Sequence, residues 1–451
     1  MFKKVLIANR GEIALRINRA CHELGVATVA IFSEADRQSL HVRHADEAFC
    51  VGPGPVMRSY LNIPNIISAA LISGCDAIHP GYGFLAENAR FAEIASDHGL
   101  TFIGPTPAVI GAMGDKATAK RLMADAGVPT TPGSDVVANA DEARTVSAAI
   151  GYPVLIKATA GGGGKGMRAV RTPDELPTAF ATAQAEAEAS FKDGRMYVEK
   201  LIVNPRHIEV QVLADEHGGV VHLGERDCSL QKPSHQKLIE EAPAPQLDEA
   251  LRERLHTIAT TATRAVGYTN AGTLEFLVTG DDVFFMEMNT RIQVEHPVTE
   301  LIYGVDLVKE QIRIAAGESL GFTQDDLNTH GHAIEVRVNA EDPNNNFAPA
   351  AGTLTTVVFP GGPGVRVDTH VYGGATVPPF YDSMLAKIVA VGRTRESAIV
   401  RMERALAETR IEGVKTTVDF CADVLADPEF RAGGVGVAWL PAFLARRTAA
   451  V

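Results

Sequence analysis

Two short arms around residue 281 constrain this chain more than anything else in it. Gly272-Thr-Leu-Glu275-Phe-Leu-Val278 and Val283-Phe-Phe-Met286 flank the turn signal Gly280-Asp281-Asp282 and read as a hairpin of buried strands. The second arm runs straight into Glu287-Met-Asn-Thr-Arg-Ile-Gln-Val-Glu-His296. Charge on a buried strand is costly unless it is paired or bound to a metal. A loop centred on Asp281 sets Glu275 opposite Glu287, each six residues from the centre, with Asn289 following on the same face. Hard oxygen ligands spaced in this way suit Mg2+ carrying a nucleotide phosphate. A surface hairpin with solvated charges is the alternative, and the apolar neighbours argue against it.

At 451 residues the chain has room for two to four domains. Its 42 Lys plus Arg against 55 Asp plus Glu leave a net charge of −13, which argues against general nucleic-acid binding. No apolar run reaches the ~18 residues a membrane span needs. The opening Met-Phe-Lys-Lys-Val-Leu-Ile-Ala is too short in its apolar part for a signal peptide and reads as a first strand. Cys21, Cys50, Cys75, Cys228 and Cys421 form no Cys-x-x-Cys pair, so reduced thiols and a cytoplasmic location are expected. Cys228 lies near candidate chemistry, and packing is its expected role.

Along the chain, residues 3–8 read as a strand, followed by a helix with Ile13, Ile17, Ala20, Cys21 and Leu24 on one face and Gly25 at its end. Ala27–Phe32 is a second strand, giving a βαβ unit of a parallel sheet. No Gly-x-Gly-x-x-Gly follows the first strand, so dinucleotide binding is poorly supported. Strands are also expected near 76–79 and 100–104, and a first domain over 1–114. Residues 115–127 look helical, 153–159 form a strand, 181–191 a helix and 196–200 a strand. The stretch 131–202 reads as a small lid-sized unit within a region spanning 115–330. Helical patterning over 298–316 ends at Gly317, and a mixed α/β region over 331–446 carries a helix at 397–408.

Several groups on these elements suit polyphosphate chemistry. The glycines of Ala160-Gly-Gly-Gly163-Gly164-Lys165 lack a P-loop ending, yet their bare amides suit a phosphate cover. A Gly run alone is a weak signal. Lys157 on the preceding buried strand and Lys116 at a helix start add to it, although Lys116 alone reads equally well as a solvated residue. Glu225-Arg-Asp-Cys-Ser-Leu-Gln-Lys-Pro-Ser-His235-Gln-Lys237 is a dense polar stretch suited to a small anion or to ion-paired loop structure. His207 sits among strand residues, where a satisfied structural histidine is the usual case. Arg337, in an alternating strand, suits an oxyanion, with pairing to Glu335 or Glu341 as the alternative.

Ile7-Ala-Asn-Arg-Gly-Glu-Ile-Ala14, His79-Pro-Gly-Tyr-Gly-Phe84, the Gly-rich stretch, Glu240-Glu-Ala-Pro243 and Glu287–Pro297 together resemble biotin carboxylase, over about residues 3–445. The resemblance implies an ATP-grasp fold: an N-terminal Rossmann-like parallel-sheet domain, a lid, a nucleotide domain and a mixed α/β C-terminal domain. It implies MgATP- and bicarbonate-dependent carboxylation of biotin carried on a partner protein. Carried over, Lys116, Lys157, Gly163, Gly164, His207, Gln231 and His235 become nucleotide contacts, with Glu199 and Lys200 near the adenine. Glu275, Glu287 and Asn289 become Mg2+ ligands (Mn2+ is the alternative ion). Lys237, Arg291, Gln293 and the Val294 amide become the bicarbonate cradle, Glu295 the base, Arg337 the holder of the biotin enolate oxygen, and Tyr82 a neighbour of biotin.

Three positions depart from the family pattern. Lys232-Pro233-Ser234 replaces two arginines and is one residue longer, which touches the local anion contacts. Lys165 stands where arginine is common. Pro363 replaces an aromatic near the homodimer contact, while Arg19, Glu23 and Arg366 match. No Ala-Met-Lys-Met tetrapeptide is present, so the biotin carrier and the carboxyltransferase are expected on other chains. The acyl acceptor (acetyl-CoA, propionyl-CoA, pyruvate or another) is not legible. A different ATP-grasp ligase would not need the 291–295 cradle with Arg337, and an inactive nucleotide-binding subunit predicts decay at Glu295, Lys237 or Arg337. All three are present.

Overall fold

The computed structural model describes residues 1–159 and 166–449. The expected βαβ start is present. Lys4–Ile7 (β1), Gly11–Glu23 (α1) and Ala27–Ser33 (β2) are joined by Glu47–Gly52 (β3), Ala77–His79 (β4) and Thr101–Phe102 (β5). These strands form a parallel sheet in the order β3-β2-β1-β4-β5. Helix α1 buries Ile13, Ile17, Ala20 and Cys21, and Gly25 at φ +72° ends it in a conformation that favours glycine.

The next body is small. Val154–Ala158 (β6) lies between Met167–Val170 (β7) and Met196–Lys200 (β8), all antiparallel, under the helix Leu176–Phe191 (α2). That helix begins five residues before the sequence expectation, because Pro177 fits its first turn without losing a needed N–H. Ala160–Lys165, including Gly163 and Gly164, lie outside the described residues.

The site is built on one large antiparallel sheet. Its strands are Arg206–Ala214 (β9), Val220–Gln231 (β10), Lys237–Ala242 (β11), Asn270–Thr279 (β12), Asp282–Asn289 (β13), His332–Asn339 (β14), Val365–Thr369 (β15) and Met384–Gly392 (β16). Their order is β13-β12-β9-β10-β11-β14-β16-β15. The β11–β14 pairing carries the sheet without a break across position 330.

Two sequence expectations are corrected here. The hairpin turns between Gly280 and Asp281, since Thr279 pairs with Asp282, so the simple register that sets Phe276 against Phe285 would next set Glu275 against Met286 and misalign the carboxylates. A bulge between Phe276 and Glu275 restores the pairing of Glu275 with Glu287. The helical stretch 298–316 is two helices, His296–Tyr303 (α3) and Leu307–Ala315 (α4). Gly304, at φ +68°, ends the first, and the Asp306 side chain caps the second by accepting from the Lys309 N–H.

Candidate active site

Strand β9 alternates strictly. Ile208, Val210 and Val212 enter the core, while His207, Glu209 and Gln211 point to the opposite face. On β10, Arg226 is fully buried on that polar face. It donates to Glu209 Oε1 (2.5 Å), Gln211 (2.8 Å), Thr299 (3.0 Å), Thr273 (3.2 Å) and Gln293 Oε1 (2.6 Å). A guanidinium tolerates such burial only when its donors are matched in this way.

Lys237 opens β11 beside this frame. Its Nζ donates to Glu209 Oε2 at 2.6 Å, Glu275 Oε1 at 2.9 Å and Glu295 Oε1 at 2.6 Å. Burial alone would lower this ammonium, but the three carboxylates outweigh it and hold the group well above the usual lysine range. Arg337 of β14 completes the arrangement, donating to Glu240 Oε1 at 2.6 Å and to Glu295 Oε2 at 2.8 Å. The sequence alternative of pairing with Glu335 or Glu341 does not occur. Burial favours the neutral form of Glu295, yet Lys237, Arg337 and Arg226 outweigh it and hold its carboxyl well below the usual range. Glu295 is therefore an ionised, buried carboxylate clasped by two cations, each of which also has other partners.

Beside Lys237 lies the carboxylate pair. Glu275 also has His207 Nε2 at 3.0 Å and accepts from Gln293 at 2.7 Å and from Asn289 at 2.9 Å. Glu287 makes no side-chain hydrogen bond or ion pair among the described residues. Burial and the charge of Glu275 push its carboxyl up, against the pull of Lys116. Two facing carboxylates with one unpartnered form a fitting seat for a hard divalent cation. His207, Glu209 and Glu275 also bring ligand atoms within 4.8 Å of one another. Glu209 is held by Arg226 and Lys237, and Glu275 by Lys237, Gln293 and Asn289, so among these carboxylates Glu287 is the one left uncommitted. The Asn289 oxygen accepts from Arg291 at 2.8 Å, and Arg291 also pairs with Glu87 at 3.0 Å.

On the lid side, Lys157 and Lys120 both grip Glu199, at 3.1 and 2.6 Å, with the Tyr197 ring against each. Lys116 carries no such partner among the described residues, and burial together with Lys157 lowers it. Lys200 donates to the Gly151 and Tyr152 carbonyls at 2.9 and 3.1 Å. The uncommitted Lys116 ammonium thus lies within reach of the charge of the uncommitted Glu287 carboxylate, a combination suited to an Mg2+-bound polyphosphate.

Comparison with known proteins agrees with this geometry. Residues 1–110 match the biotin carboxylase N-terminal domain, 115–323 the ATP-binding domain of the carbamoyl-phosphate synthase L chain, and 335–442 the biotin carboxylase C-terminal domain. The chain is 56% identical to the biotin carboxylase of Nostoc sp., over 97% of this chain and 98% of that one. The chain belongs to the biotin carboxylase family. Among solved structures, a biotin carboxylase–β,γ-ATP complex from Campylobacter jejuni superposes with TM-score 0.95 at 47% identity, covering 98% of this chain and 99% of that one. The biotin carboxylase domain dimer of the 2-oxoglutarate carboxylase of Hydrogenobacter thermophilus, bound to MgADP, ADP and bicarbonate, gives TM-score 0.94 at 49% identity, covering 98% and 97%.

Two regions of this biotin carboxylase scaffold differ from expectation. The Lys232–Gln236 segment is a tight turn whose Pro233, Ser234 and His235 are exposed, so His235 stands away from the cluster. Gln231 does face inward, donating to His207 Nδ1 at 2.8 Å. Lys232 is buried instead of meeting an anion from outside: its Nζ donates to both oxygens of Glu341 at 2.9 and 2.7 Å, and Ser383 donates to the same carboxylate at 2.6 Å. Tyr82 donates to Glu12, whose Oε1 lies 3.2 Å from Lys387 Nζ. Lys387 in turn donates to the Val294 carbonyl at 2.8 Å. Glu209, Lys120 and Lys387 went unrecognised in the sequence, while Arg226 and Glu240 stood inside quoted motifs with no role of their own. The β9 alternation was the available signal for Glu209.

No helix among the described residues is long and apolar enough to cross a membrane. Cys228 is buried with its thiol pushed well up by burial, which fits packing.

Proposed function

We propose that this chain carboxylates biotin borne on a separate carrier protein, using ATP and bicarbonate, through carboxyphosphate. The observation that carries the reading is Glu295 held between Lys237 at 2.6 Å and Arg337 at 2.8 Å, beside the Glu275–Glu287 pair. A carboxylate so compensated is a weak base. Bicarbonate drawing Lys237 onto itself, with Arg291 and the Val294 amide as its further donors, removes part of that compensation and raises the basicity of Glu295 at the moment it is needed. Glu295 then accepts the bicarbonate proton while a bicarbonate oxygen attacks the γ-phosphorus and ADP leaves. Carboxyphosphate separates into CO2 and phosphate, phosphate takes the biotin N1 proton, and N1 bonds to CO2. Arg337 holds the ureido oxygen as its charge grows, with Tyr82 alongside.

Glu275 and Glu287, with Asn289, are the Mg2+ ligands in this reading, and Mg2+ supplies charge neutralisation of the triphosphate. Lys116, Lys157, His207 and Gln231 hold the phosphates and ribose, and Glu199 and Lys200 border the adenine. Gly163 and Gly164 cover the phosphates, while His235 joins only if the turn folds inward. The working units are 1–114, a nucleotide unit over 115–330 with its lid at 131–202, and 331–446. The partners are a biotin carrier and a carboxyltransferase on other chains in the cytoplasm. A homodimer forms through Arg19, Glu23 and Arg366.

Phosphate release from MgATP, with bicarbonate and biotin each added or omitted, tests the reading. It predicts release that requires bicarbonate and rises with biotin. Release indifferent to bicarbonate would overturn it.

A further inference from the structure

Beside Arg337, two glutamates oppose each other. Glu240 on β11 and Glu335 on β14 are register partners, and both are fully buried. Opposed positions on antiparallel strands put Cβ atoms about 4.5–5.5 Å apart. Glu240 Oε1 takes the Arg337 bond, but among the described residues Oε2 has no partner, and neither oxygen of Glu335 has one. Buried ionised carboxylates are not left bare in this way, because each would forfeit its full solvation.

Among the described residues the surrounding groups leave no cation to spare. Arg337 shares the face with Glu335 and is divided between Glu240 and Glu295. Lys387 of β16 stands opposite Arg337, but its ammonium serves the Val294 carbonyl, Glu12 of α1 and Asp368 of β15. Lys237 is divided among Glu209, Glu275 and Glu295. If all were ionised, Glu240, Glu295 and Glu335 would set three negative charges against the one of Arg337.

We propose that Glu240 and Glu335 share one proton in the resting protein, and that this proton keeps the charge of Arg337 available to the biotin oxygen. The Glu335 hydroxyl donates to the free Glu240 Oε2. One shared proton leaves a local charge of −1 around Arg337. The proton that Glu295 accepts from bicarbonate brings it to neutral just as negative charge grows on biotin. Burial pushes both carboxyls up, Glu240 against the pull of Arg337 and Glu335 against that of Lys387, with the charge of Glu240 raising Glu335 further. Glu335 is a positioning residue in this account, acting on biotin only through Arg337. The functional half rests on the biotin carboxylase reading, and the shared proton does not.

The test therefore has two parts. Infrared difference spectra of the substrate-free full chain, wild type against Glu335→Gln, should show a protonated-carboxyl C=O band in the wild type that the variant lacks. This band should shift in heavy water and fade as pH is raised. Absence of a band that fades with pH in the wild type, or its survival in E335Q, would overturn the shared proton whatever the activity. In kinetics, E335Q keeps biotin-dependent turnover within about threefold at neutral pH, since a carboxamide also donates and carries no charge. It should lose the alkaline fall in that turnover that the wild type shows where its band fades. Phosphate release with bicarbonate alone should keep one pH profile in both proteins. Parallel alkaline falls in wild type and E335Q would overturn the link to Arg337.

Discussion

Arg337 donates to Glu295 Oε2 at 2.8 Å, tying the group assigned to biotin to the group assigned to the bicarbonate proton. The two assignments separate by mutation. Arg337→Gln should cut biotin-dependent turnover by about 100-fold, the scale of losing one preorganised donor, while bicarbonate-dependent phosphate release without biotin stays within a few-fold. Glu295→Gln should lower both by about 100-fold or more, because it removes the base itself. Phosphate release with and without biotin reads both outcomes. Equal losses of both activities in R337Q would contradict the division of labour.

The Mg2+ assignment predicts a shift in metal demand. Glu287, unpartnered among the described residues and pushed up by burial and Glu275, has oxygens free to take a cation. Glu287→Gln should raise the Mg2+ concentration for half-maximal phosphate release by at least about tenfold. An unchanged Mg2+ dependence would exclude Glu287 as a ligand.

Lys232 shows what the sequence departure became. Its ammonium joins the β10–β11 turn to Glu341 within a buried ion pair. Lys232→Met leaves Glu341 buried without that cation, at a cost of about 3–5 kcal/mol, and should lower the urea midpoint accordingly. Lys232→Arg keeps the charge and should lose less. A K232M midpoint equal to the parent's would contradict this.

Residue type and spacing made the Glu275–Glu287 pair legible, and the family resemblance supplied Lys237, Glu295 and the biotin role of Arg337. Glu275, Glu287, Lys237, Glu295 and Arg337 do converge, and the Glu275–Glu287 pairing holds through a bulge that alternation alone does not reveal. Partner choice was not legible. Arg337 takes Glu240, and Lys232 takes Glu341, because strand order β11-β14-β16 decides which charges meet. Arg226 and Lys387 looked like ordinary basic residues, since only the closed sheet buries them. In the N-terminal sheet, by contrast, local patterning sufficed for β1, β2, β4, β5 and helix α1 with its terminating Gly25, but not for β3, an edge strand that buries only Val51.

Asp36 offers a pH test of the N-terminal region. It accepts from Arg10 Nε at 2.6 Å and from Tyr60 at 2.6 Å, and is buried. Burial would raise its carboxyl, but Arg10 outweighs that and holds it well below the ordinary value of 3.8. A depressed acid contributes stability above its unfolded value and loses it as pH falls toward the folded one. Asp36→Asn should therefore cost about 3 kcal/mol at neutral pH, with the gap to wild type closing below pH ~4. Urea unfolding of both proteins across pH reads this. A gap constant with pH would contradict the ion-pair account.

The most direct measurement of the central claim follows oxygen from bicarbonate into phosphate. With bicarbonate labelled in all its oxygens by the heavy isotope, a carboxyphosphate route transfers one labelled oxygen to each phosphate released, read by mass spectrometry. That transfer, kept in the presence of biotin, is the result predicted. Phosphate labelled only by oxygen from solvent water would contradict the account.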